Sequence, residues 1–80
     1  MTTEIWAEAS RFCRDPFALR ALSLLERASK GKNPHFRKAC LSRALEEVSV
    51  VENKEEKAFL TGLHLGICEV ANFLEAAETS

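Results

Sequence analysis

His64 and Cys68 are the residues of this chain best spaced for chemistry. They lie four apart in an amphipathic stretch. On a helix that spacing turns an imidazole and a thiol to one side, where both could bind one metal ion. The set ends there. Structural zinc sites pair their ligands at short spacing twice, whereas His35, Cys13 and Cys40 stand apart. Packing at the edge of a core is therefore the expectation for His64 and Cys68, with no metal and no cofactor. No Ser/His/Asp order, phosphate loop or HExxH motif is present. A helical chain of 80 residues is expected to leave little room for a ligand cavity of about 300 Å3. No catalytic residue is expected.

Charge supplies a second candidate. Residues 11–43 carry a net +7, residues 1–10 carry −2 and residues 44–80 carry −6, which sum to only −1. Arg20, Arg27 and Lys30 share one stripe with Ser23. Arg11, Arg14, Lys32, Arg37, Lys38 and Arg43 are candidates to extend it. Such a stripe can neutralise phosphates or meet an acidic protein. Three features weaken the nucleic-acid reading. The pI is about 6.1, no aromatic residue interleaves the stripe as a stacking platform does, and Arg37, Lys38 and Arg43 point to different sides of one helix. Arg37 also stands where a helix-turn-helix motif wants an apolar residue. The plain expectation is a solvated face, partly paired with the acidic C-terminal segment.

The third candidate is physical. Gly62 and Gly66 sit one turn apart within a helical pattern, beside Phe59, Leu63, Val70 and Phe73. Each glycine costs roughly 1 kcal/mol relative to alanine inside a helix. Close approach of another helix is the natural compensation. That helix belongs either to the same chain or to a partner.

The elements that position these residues read as helices throughout. Helices are predicted over 3–13, 16–30, 34–50 and 54–77. Asp15-Pro16 and Asn33-Pro34 are paired start signals, an N-cap followed by proline at the first helical position. Gly31 and the preceding Lys30 mark a stop. Asn53 and Glu56 resemble a capping box, and the run Val48, Val50, Val51 weakens the preceding end. The expected inner faces are Ile5, Ala9, Phe12 and Cys13; then Phe17, Ala21, Leu24, Leu25 and Ala28; then Phe36, Cys40, Leu41, Ala44, Leu45 and Val48. In the last helix, apolar residues from Phe59 to Leu74 fill about half the circumference, with His64 and Cys68 on the other half. Its length, roughly 36 Å at about 1.5 Å per residue, exceeds that of its neighbours and leaves part of the apolar face for a partner.

Ala21, Leu25 and Ala28, followed by Pro34, resemble the second helix of a tetratricopeptide repeat. The proline comes one residue late, and no complete unit of about 34 residues follows. The resemblance implies helices stacked as a helix-turn-helix array. The fold class is thus all-α, one domain over residues 1–80, either a small four-helix bundle or such an array, with a long C-terminal helix.

Three cysteines, an odd number without a CxxC pair, suggest reduced thiols. Met1-Thr2-Thr3-Glu4 does not resemble a signal peptide. The most apolar segment, residues 58–74, is interrupted by His64, Glu69 and Asn72. A cytoplasmic chain is the expectation. The functional expectation is a protein–protein interaction module, an adaptor, chaperone-like subunit or stoichiometric inhibitor. It would self-associate as a homodimer through Phe59, Gly62, Leu63, Gly66, Val70 and Phe73. The alternative is a nucleic-acid-binding regulator using Arg20, Arg27 and Lys30.

Overall fold

Asp15, Asn33 and Asn53 each start a helix with a side-chain oxygen. Asp15 Oδ1 accepts the Phe17 N–H at 2.8 Å. Asn33 Oδ1 accepts from His35 at 2.8 Å and from Phe36 at 3.3 Å. Asn53 Oδ1 accepts from Glu56 at 3.0 Å. Each bond satisfies a donor that the first helical turn leaves open. The computed structural model describes the backbone of residues 2–79 and the side chains of residues 6–77. It contains α1 (Thr2–Phe12), α2 (Pro16–Lys30), α3 (Pro34–Ser49) and α4 (Lys54–Thr79), and no strand among the described residues. The expected bounds hold to within two residues. The Ile5 side chain lies outside the described residues.

α2, α3 and α4 pack on one another, and α1 lies against α2. The core is built around Leu25, Val48 and Leu60, which are fully buried. Close helix approach in this chain is made by alanines. Ala18, Ala21 and Ala28 of α2 and Ala44 of α3 have no exposed surface, and their small side chains let the helix backbones come near.

That choice of small residues corrects several expected core positions. Phe17, Phe36 and Leu45 are exposed, and Ala18, Leu22 and Arg37 are buried instead. Rings as wide as phenylalanine do not fit at the closest line of two helices, so they sit along its edges. Phe12 is also half exposed. It meets Phe59 of α4, ring centroids 5.3 Å apart and planes tilted by 57°, an arrangement favoured by aromatic quadrupoles.

Gly31 ends α2 for an unexpected reason. Its φ of −70° and ψ of 138° are extended, so no left-handed cap is formed. Space is what it supplies: a Cβ there would stand 2.8 Å from Phe36 Cδ2 and 3.2 Å from the Arg27 carbonyl oxygen.

Candidate functional site on the C-terminal helix

α4 has 26 residues, about 39 Å at roughly 1.5 Å per residue, and it runs nearly the whole 41 Å length of the molecule. Its rotation is set by two polar contacts. Near its start, Glu56 turns a buried carboxylate to the backbone N–H groups of Arg14 at 2.6 Å and Asp15 at 3.1 Å. The capping box foreseen at Asn53 is therefore half formed. Asn53 takes the Glu56 N–H, but the Glu56 side chain serves the α1–α2 turn and not its own helix. Two turns further on, His64 Nε2 donates to the Leu41 carbonyl oxygen at 3.0 Å.

These contacts turn α4 roughly 70° away from the centre of its apolar face, at about 100° per residue. Glu56, Leu60 and Ala71 point inward, with Leu63, His64, Ile67 and Cys68 half-buried beside them. Val70, in the middle of the apolar half, is 59% exposed, and Phe73 is 73% exposed. His64 and Cys68, placed on the outer half by the sequence pattern, instead face α3.

The glycines lie on the uncovered side. Nothing stands within 4 Å of a Cβ built on Gly62 or Gly66. Among the described residues no other helix comes close to either, so no intramolecular crossing at the pair is seen there. Of the six candidate contact residues, Gly62, Gly66, Val70 and Phe73 form one open strip, Leu63 is half-buried, and Phe59 is engaged by Phe12.

Beside this strip runs a groove of about 690 Å3 between α4 and the α2–α3 turn. The small chain thus holds a larger hollow than its length led us to expect. The unfilled volume follows from the same glycines, which leave the wall without side chains. Arg37 lies at the groove. Grouped with the surface cations by sequence, it is only 7% exposed. Its Nη2 donates to the Lys32 carbonyl oxygen at 3.2 Å, and its Nε has no partner among the described residues.

The remaining candidates form local contacts. Cys68 donates its thiol proton to His64 Nδ1, sulfur to nitrogen 3.7 Å. That direction follows from Nε2 carrying the imidazole proton toward Leu41. Burial pushes the Cys68 thiol above its ordinary value of 9.0 and keeps it protonated. No group of three His, Cys, Asp or Glu side chains among the described residues is arranged to hold a metal. On α2, Lys30 pairs with Glu26 of its own helix at 2.6 Å, not with α4. Arg20 lies over the Phe17 ring at 5.6 Å, and Arg27 is exposed. Arg43 likewise turns to Glu46 and Glu47 of α3. No helix among the described residues is long and apolar enough to cross a membrane. Compared with protein-family models, curated proteins and solved structures, the chain finds no match in any of the three.

Proposed function

We propose that this chain is a protein–protein interaction module that pairs with a second copy of itself through α4. The observation that carries this reading is the empty space over Gly62 and Gly66, on a strip where Val70 and Phe73 are also exposed. Two helix-interior glycines cost roughly 2 kcal/mol together, and no contact among the described residues offsets that. A second helix lying across them does.

The strip suits a two-fold partner. Gly62 and Gly66 sit near the middle of Lys54–Thr79, so an antiparallel crossing lays each glycine pair on the other. The first turn of α4 balances Lys54 and Lys57 against Glu55 and Glu56, so it is the central place of the glycines, not charge, that suits an antiparallel register. An 80-residue domain gains stability from such pairing.

Light scattering over a range of concentrations tests it. The expected mass approaches twice the 8.9 kDa of the chain. Gly66→Leu, which fills the crossing without touching the core, is expected to return the mass to that of one chain. A single-chain mass for the unaltered protein at every concentration sinks the reading.

A further inference from the structure

We propose that the floor of the groove between α4 and the α2–α3 turn binds a slender amphipathic carboxylate, with Arg37 as the anchor for its anionic end. Arg37 is a buried guanidinium, 7% exposed, that makes no ion pair among the described residues. A cation withdrawn from water without an anion is costly. Its Nε is a buried donor with nothing to donate to, and such groups are rare in folded proteins. One carbonyl, that of Lys32, takes Nη2. A carboxylate reaching Nε meets both the missing hydrogen bond and the missing charge, in the geometry for which the guanidinium fork is suited.

The rest of the groove fits the other end of such a molecule. Ile67, Val70, Ala71 and Leu74 make its wall apolar, Lys32 adds a second cation, and no acidic residue lines it. Its volume of about 690 Å3 lies within the roughly 300–1,000 Å3 typical of ligand sites. Only 7% of Arg37 is exposed, so the group that meets it has to be small, and the carboxylate end of an alkyl chain satisfies this. The groove shares Gly62, Gly66 and Val70 with the pairing strip, so a bound carboxylate and a second copy compete for this face, and binding is expected to lower the scattering mass of any paired chain.

The three glycines of the chain, Gly31, Gly62 and Gly66, all line this groove. Their backbone amide resonances are therefore a direct readout. Titration with decanoate is expected to shift all three and to saturate at one ligand per chain. 1-Decanol, with the same tail and no charge, is expected to bind at least tenfold more weakly, and acetate not at all. Arg37→Met keeps the length and apolar body of the side chain. It is expected to lower decanoate affinity to that of decanol, with the dispersed spectrum retained. Decanoate that leaves the glycines unmoved, or that binds no better than decanol, overturns the site. So does equal binding to the Arg37→Met chain. The comparison of decanoate with decanol on the unaltered protein decides the matter even if that variant fails to fold. Scattering mass recorded on the same samples keeps this result separate from the test of pairing.

Discussion

Glu56 Oε1 lies 2.6 Å from the backbone nitrogen of Arg14, forty-two residues away. The bond joins the first turn of α4 to the turn between α1 and α2, and the same oxygen holds Asp15 at 3.1 Å. Asp15 answers with Oδ2, which accepts the Glu52 N–H at 3.4 Å. The two inter-helix turns are thus fastened in both directions.

Removing that carboxylate leaves two N–H groups without their acceptor. Glu56→Ala is expected to destabilise the fold by about 2–4 kcal/mol, and Glu56→Gln, which still offers an oxygen, by about 1 kcal/mol. Urea unfolding measures both. Equal losses for the two variants would show that a neutral amide oxygen cannot replace the carboxylate there.

Substitution at the glycines is expected to separate folding from pairing. Gly62→Ala and Gly66→Ala meet open space and should stabilise the single chain by up to about 1 kcal/mol each through helix propensity. Gly66→Leu should share most of that gain yet abolish self-association. Thermal melts at several concentrations read both effects, since pairing makes the midpoint depend on concentration.

At Gly31 the opposite sign is expected. A Cβ would crowd Phe36 at 2.8 Å, so Gly31→Ala should cost about 1 kcal/mol, in the usual range for overpacking. Phe36→Leu should absorb most of that cost in the double variant. A double-mutant cycle by denaturant unfolding gives the coupling, and strict additivity refutes the contact.

Stability should fall in alkali through Cys13. Burial first, and then the nearby Glu56 carboxylate, hold its thiol above the ordinary 9.0. The folded chain therefore keeps a proton that the unfolded chain releases. The full contribution is present below 9.0 and is lost as pH rises from there through the raised folded value. Cys13→Ala should show a shallower decline over that window, measured as unfolding free energy against pH.

The basic stripe offers a test of the competing partner. Replacing Arg20, Arg27 and Lys30 by Gln should change stability by less than about 1 kcal/mol, as for exposed ion pairs. It should leave the paired mass intact. Salt-sensitive anisotropy of a duplex probe, lost in that variant, would turn the reading toward nucleic acid.

The helix starts were legible because they are local. Asp15-Pro16, Asn33-Pro34 and Asn53 each fix a turn with side chains a few residues away. Which way each helix faces was not. The apolar pattern places Val70 at the centre of the α4 face, yet long-range bonds from Glu56 and His64 turn it outward. Arg37 read as one more surface cation because no periodicity marks a buried charge. Alanines at the α2–α3 contact displaced Phe17 and Phe36 to the rim, since the distance between two helices depends on the smallest side chains of both. The groove followed from that geometry and from what glycine lacks, neither of which a single helical wheel records.

The placement of the ties along α4 divides the helix mechanically. Glu56 holds one end, Ala71 is the last buried side chain among the described residues, and from Asn72 to Ala77 none is buried. Amide protons around Leu60 should exchange with solvent only when the whole chain opens, whereas those beyond Phe73 exchange by fraying alone. Capture of a partner by the open strip should therefore slow exchange locally from Gly62 to Phe73, and around Leu60 through the added stability of the whole chain.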